Sequence, residues 1–236
     1  MQYLDPKHSV DIFSDITYRA TMTAGLLRVW LEPQDSVEVI SFQEWRKTAF
    51  SEIPGVSTVD ILTATDKVEG PNIYGYENAY HLDKIESIDD SLVTSLCSAS
   101  AQFVKRSDWQ VYEEISYDKR NDLGRRLTGT VFVTVGMSPI ETPENLTDYH
   151  DWYKKEHMPI LSEVPGWRTG SRYKRVSCFG DDAEFAAPYL AIHQYDEQNG
   201  LGGEQWQKSV NSLWTKRVMS NLSAPNHRRT WKLAYE

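Results

Sequence analysis

Two segments of the chain alternate apolar and polar residues with the two-residue period of a β-strand, GLLRVWLEP from Gly25 and GTVFVTVGM from Gly129. Each runs into a stretch patterned as a helix, SFQEWRKTAFSEIPGV ending at Val56 and DYHDWYKKEHMPILSEVPGW ending at Trp167. The two stretches share the frame aromatic-x-acid-W followed by S-E-(I/V)-P-G. Each Pro-Gly pair stops its helix and turns the chain, because proline cannot continue the hydrogen-bond ladder and glycine accepts a positive φ. A second strand follows each turn, VSTVDILTAT in the first copy and WRTGSRYKRV in the second. NIYGYENAYHLD from Asn72 then parallels PYLAIHQYD from Pro188, a more polar helical segment comes next in both, and the copies close on RSDWQVYEEI from Arg106 and RRTWKLAYE from Arg228.

The order strand, helix, strand, strand, helix, strand is that of a ferredoxin-like split βαβ unit. Both helices of such a unit pack on one sheet face and leave the other bare, so two copies in one chain can cover those bare faces by closing a barrel. The expected organisation is a polar extension over 1–24, a first unit over 25–117, a charged linker over 118–128 and a second unit over 129–236.

Length and composition narrow the functions available. With 236 residues the chain can bury a real core, and eight Trp with thirteen Tyr make it unusually aromatic, so the rings line a core or a cavity. A net charge of −9 without a Lys/Arg-rich block argues against nucleic acid. No apolar run reaches the roughly 18–20 residues that span a bilayer, and MQYLDPKHSVDIFSD lacks the regions of a signal peptide, which reads as a cytoplasmic protein with no membrane partner. Cys97 and Cys178, with no CxxC spacing, read as two buried thiols rather than a disulfide or a thiolate metal site.

The stretch DWYKKEHMPILSEVPGW, with a strand before it and APYLAIHQYD after it, resembles the EthD-like branch of the dimeric α+β barrel superfamily, in the tandem form of small tailoring proteins of fungal biosynthesis. The resemblance covers nearly all of the chain beyond Ala24. Its most specific part is W-Y-x-x-E-H-x-P with the V-P-G-W turn, Trp152 to Trp167. It implies an α+β fold in which two tandem ferredoxin-like units pair their antiparallel sheets into an intrachain dimeric α+β barrel. It also implies chemistry drawn from cofactor-free cyclases, isomerases, decarboxylases and monooxygenases of small aromatic or polyketide-like substrates, and from some haem proteins. The pocket in such relatives lies between helices and sheet, and the His of E-H-x-P reaches into it. Four fewer residues separate Trp45 from Pro54 than Trp152 from Pro165, about one helical turn, so the first copy has no equivalent of His157 and reads as mainly structural.

On a helix from about Thr147, Tyr149, Trp152, Tyr153, Glu156 and Ile160 share one face, with His150 and His157 at its edge. Pro159 disfavours helical geometry at Met158, which places His157 in the last turn near the negative end of the dipole, where a protonated imidazole is favoured. His157 is therefore a general acid/base beside an enolisable carbonyl, or a hydrogen-bonded helix cap. Strand alternation puts Tyr189, Ala191, His193 and Tyr195 on one face, so His193 either shares the pocket with His157 or points into the interior between the sheets. His81 near the matching strand end is a weaker parallel. Tyr153 and Tyr189 are candidate donors to a developing oxyanion, or core aromatics. Trp152, Trp167 and Trp206 suit packing or the walls of a flat aromatic site. Arg168 and Arg172, on one strand face, are either a bidentate carboxylate clamp or solvated arginines. GLGGEQW, from Gly200, lacks the phosphate-loop frames and reads as a loop at the pocket mouth.

These residues point to a cofactor-independent lyase or isomerase-type cyclase with His157, Tyr153 and His193 as catalytic groups. His150, Trp152, Trp167, Arg172, Tyr189 and Trp206 would bind the substrate. A cofactor-free monooxygenase and a non-catalytic carrier barrel are the alternatives. No metal ligand set is indicated, haem is allowed by the resemblance but selected by no residue, and a homodimer of the barrel is among the partners allowed.

Overall fold

The computed structural model describes residues 23–67, 74–180 and 186–235. The expected N-terminal extension lies outside them as far as residue 22, as does the start of the strand expected from Asn72. The first half holds β1 (Gly25–Pro33), α1 (Val39–Thr48), β2 (Val56–Ala64), β3 (Tyr76–Leu82), α2 (Asp90–Ser100) and β4 (Val104–Lys119). The second holds β5 (Val131–Pro139), α3 (Pro143–Trp152), α4 (Met158–Ser162), β6 (Trp167–Gly180), β7 (Tyr189–Tyr195), α5 (Glu204–Asn211), α6 (Leu213–Ser220) and β8 (Leu222–Leu233).

The strands form one closed antiparallel barrel in the order β1-β3-β2-β8-β5-β7-β6-β4. Two seams join the halves, a short one from Leu62 opposite Leu233 to Ala64 opposite Trp231, and a long one between β4 and β6 from Asp108 to Lys119. Closure leaves none of these strands with an unpaired edge. Because β1 is buried on both faces, its alternation divides two cores rather than core from solvent: Leu27, Val29 and Leu31 pack under the helices, while Leu26 and Trp30 face the barrel interior with Phe132, Tyr173, Leu190 and Trp231. Arg28 also points inward and is fully buried, held by Glu77 through two 2.7 Å hydrogen bonds. Trp30 Nε1 donates to the same carboxylate at 2.9 Å.

Both Pro-Gly turns form, with Gly55 and Gly166 at φ +75° and +79°. Four expectations shift. First, α1 stops at Thr48 rather than running towards the Pro-Gly turn, and Phe50 adopts a left-handed φ of 58°. Second, β4 extends to Lys119, into the segment expected as linker. Third, Trp109 and Trp231 are not equivalent. Trp109 packs under the helices and Trp231 inside the barrel, so the matched closing segments are out of step by an odd number of residues, and such a slip exchanges sheet faces. Fourth, a β-bulge between Trp167 and Thr169 breaks the alternation on which Arg168 and Arg172 were placed together.

The first half fills the space beneath its helices with rings. Trp45 stacks on Phe103 with centroids 5.0 Å apart, and Phe50 meets Trp109 at 4.8 Å. Tyr80 pairs with Val59 as His193 pairs with Gly170, and its hydroxyl donates to the Ala49 carbonyl at 3.0 Å.

Candidate active site

In the second half, the long helical stretch lies over β5, β6 and β7. Thr142 caps its start by accepting from the Asn145 N–H, and Pro143 occupies the first turn, where no donor is lost. The stretch does not end at His157. Residues Tyr153–His157 widen into a π-helical turn in which the Met158 N–H bonds the Tyr153 carbonyl, Met158 keeps helical geometry (φ −65°, ψ −46°), and α4 continues through Pro159 to Ser162. Pro159 lacks an N–H and its ring crowds the preceding turn, and one wide turn absorbs both effects while redirecting the side chains around it. His157 thus sits mid-helix, away from the dipole end, and the protonated imidazole expected there is not favoured.

Helices α5 and α6 roof this region. Ser212 separates them and caps α6, its hydroxyl accepting from the Thr215 N–H at 2.9 Å and donating to Glu156 at 2.5 Å. Trp152 Nε1 donates to Thr215 Oγ1 at 3.0 Å, and that hydroxyl donates to the Ser209 carbonyl at 2.7 Å. Trp214 and Arg217 both bind Asp148 on α3. These bonds fix the roof and leave a cavity of about 640 Å³ between it and the sheet.

Two imidazoles meet in that cavity. His157 lies flat on the Trp152 indole, centroids 4.2 Å apart, and hydrogen-bonds the main chain at Ser209. His193 projects from β7 on the same side, with its ring centroid 6.4 Å from that of His157. Both are buried, and the Nδ1 atom of each is shielded from solvent with no hydrogen-bond partner. Burial, helped by His193 and Arg172, pushes His157 down to about 3, and burial, helped by Arg172 and Arg228, pushes His193 down to about 4. Both rings are therefore neutral near pH 7 and carry free proton-accepting capacity. The walls are otherwise mostly apolar, with Val133, Met137 and Leu161 on one side, Leu201 and Trp206 from the glycine loop and α5 on another, and Arg228 and Asn226 from β8 at the rim.

Most of the other sequence-predicted residues lie outside this cavity. Tyr153 is buried with its hydroxyl against Met137 Sδ at 3.7 Å, and burial pushes it up to about 12. It lines a different cavity, on the opposite flank of the helix, together with His150, Trp167 and Arg172. Tyr189 packs on Tyr149 and His150 and lines neither cavity. Of the two tyrosines expected to steady an oxyanion, Tyr153 meets His157 edge-on with ring centroids 5.4 Å apart but turns its hydroxyl to Met137, and Tyr189 lines neither cavity. Arg168 is bound to Asp196 at 2.5 Å and to the Gly124 carbonyl, so it forms no clamp with Arg172. His81 bonds Asp60 at 2.9 Å at one end of the barrel. Sequence reasoning put Tyr195 on the His193 face without giving it a role, and it missed Arg228 as a neighbour of His193. Tyr195 was legible from strand parity, whereas Arg228 needed the β5–β8 register, in which it lies opposite Val135. Among the described residues, no cluster of His, Cys, Asp or Glu is arranged to hold a metal ion, and no helix is long and apolar enough to cross a membrane.

No protein-family model and no curated protein matches the chain. Solved structures of the same fold do. An anthrone oxidase-like protein superposes with a TM-score of 0.58 at 13% identity, covering 90% of this chain and 92% of its own. A proposed monooxygenase from Fusobacterium nucleatum subsp. nucleatum gives 0.57 at 8% identity, covering 90% and 93%. A chlorite dismutase variant from Candidatus Nitrospira defluvii, in complex with cyanide, gives 0.54 at 9%, covering 90% and 92%. At such identities the likeness is one of fold. These neighbours are dimeric α+β barrel proteins, and the chain shares their architecture.

Proposed function

We propose that this chain is two tandem ferredoxin-like units, 25–117 and 129–236 joined by 118–128, and that the second unit is a cofactor-independent enzyme moving protons on a small aromatic or polyketide-derived substrate. The observation that carries the reading is the pair of buried, neutral imidazoles facing one apolar cavity of about 640 Å³. That volume suits a flat molecule of two or three fused rings.

His157 accepts a proton from an acidic C–H or O–H of the bound substrate through its free Nδ1. The imidazolium and the enolate or phenolate then form an ion pair inside a low-dielectric wall, which raises the basicity of His157 only when the substrate anion forms. His193 is the second acceptor, and Arg228 at the rim adds positive charge beside the anion. With burial opposing its charged form, the imidazolium readily returns the proton to another atom of the substrate, which is the step a lyase or isomerase-type cyclase requires. The haem allowed by the resemblance has no role in these steps.

A cofactor-free monooxygenase is the second reading, in which the same anion reacts with oxygen, and the anthrone oxidase-like and monooxygenase neighbours favour it. Oxygen consumption during turnover separates the two. In either case His157→Ala lowers turnover by about 10²–10⁴, the usual contribution of a general acid/base. Unimpaired turnover would remove His157 from the chemistry.

A further inference from the structure

The second cavity, on the opposite flank of the same helix, has its own chemistry. It has a volume of about 970 Å³ and lies between the helix, β6 and the end of β4. Arg172 forms part of its wall and is only 5% exposed. A cation buried to that degree is costly unless a counter-charge meets it. Yet the partners of Arg172 are neutral: an N–H donates to His150 Nδ1 at 2.9 Å, and the guanidinium lies 4.0 Å from the Tyr153 ring centroid and 5.2 Å from that of Tyr149. No carboxylate pairs with it among the described residues. Accepting that bond on Nδ1 keeps His150 uncharged, and burial followed by the Arg172 charge lowers its proton affinity further. The aromatic faces hold the guanidinium in place by cation–π attraction, which orients it without neutralising it.

A second, independent feature lies in the same wall. The indole Nε1 of Trp167, a residue only 4% exposed, is buried with no hydrogen-bond partner. The rim is mixed but mainly basic, with Lys119, Arg120 and Lys154 against Asp118. Arg120 is already bound to Asp196. Tyr153, Met158 and Pro159 supply flat and apolar surface beside the charged group.

We propose that this cavity is a separate binding site for a small aromatic carboxylate, its carboxylate on the Arg172 guanidinium and its ring against Tyr153, Met158 and Trp167. Arginine offers parallel N–H donors that match a carboxylate, so both charge and planarity select the ligand. The assignment does not rest on proton transfer at His157, because the two cavities lie on opposite flanks of the helix.

The test uses the full chain with 1-naphthoate as probe and 1-naphthalenemethanol as its neutral counterpart, followed by calorimetry and by the indole N–H signals in ¹H–¹⁵N spectra, with Trp167 assigned through Trp167→Phe. The expected result is saturable naphthoate binding that shifts the Trp167 indole signal, at least about tenfold tighter than the alcohol, a factor in the range of a charge-assisted hydrogen bond. Arg172→Met should abolish that preference, Arg172→Lys should restore only part of it, and Arg228→Gln should leave it intact. If Arg172→Met does not fold, the spectra of the unmodified chain still decide. Equal affinity for acid and alcohol, a shift at Trp206 in place of Trp167, or no saturable shift would each overturn the proposal.

Discussion

Replacing His157 by Asn should make the protein less sensitive to acid, by an amount the structure fixes. In the unfolded chain a histidine titrates near 6.5, whereas burial holds folded His157 down at about 3. The unfolded state therefore binds a proton that the folded state refuses at every pH between those values, so stability rises with pH across this window and is lost as pH falls below about 6.5. Between pH 7.5 and pH 5.0 one such group removes about 2 kcal/mol. His193 and His227, each pushed by burial to about 4, act with the same sign and similar size. Together the three approach about 6 kcal/mol, a large share of the roughly 5–15 kcal/mol that holds a domain folded. Guanidinium unfolding of the parent chain and of His157→Asn at both pH values measures the difference directly. The variant shifts the baseline by an unrelated amount through lost stacking on Trp152, so only the change between the two pH values is read. Depressed carboxylates such as Asp148 and Asp196 lose their contribution at lower pH and cancel in the comparison. The variant should lose about 2 kcal/mol less than the parent. Equal losses in the two proteins would show that His157 titrates normally and is not buried as described.

The pH dependence of kcat/KM should carry the same signature, staying flat from pH 8 down to about pH 5 with its acid limb near the values of about 3 and 4 held by His157 and His193, and an inflection at 6.5 in steady-state rates would contradict it. Glu77→Ala removes the carboxylate that binds both Arg28 and Trp30 inside the barrel and should cost about 3–5 kcal/mol, read as a Tm lower by roughly 6–20 °C. Trp45→Ala removes the stack on Phe103 in the half without an imidazole pair, so it should lower Tm while leaving kcat per folded molecule unchanged; a matching fall in kcat would place part of the site in the first half.

Much of the architecture was legible because its signals are local. The two Pro-Gly turns, the alternation of GLLRVWLEP and GTVFVTVGM, and the order of elements in each copy all follow from backbone chemistry that neighbouring residues determine. The β7 alternation even set His193 and Tyr195 on one face, though not which side of the sheet that face would meet. That choice depends on barrel closure, which is a long-range event. The π-helical turn was not legible either, because proline alone predicts a break, and whether a helix breaks or widens depends on what packs beneath it. Here Trp152, Tyr153 and Met158 are all buried on the sheet, which favours continuing the helix to Ser162. The bulge at Arg168 and the roof built by Ser212, Thr215 and Asp148 likewise depend on partners distant in sequence.

In the proposed reaction the His157–His193 cavity removes a proton from an enolisable aromatic substrate. NMR reads that step through deuterium uptake at the acidic methylene of tricyclic aromatic ketones in D₂O under argon, so that no later reaction with oxygen intervenes. Exchange should run faster than in buffer and fall by about 10²–10⁴ in His157→Ala. Exchange at the buffer rate, or the same acceleration in His157→Ala, would rule out His157 as the proton acceptor.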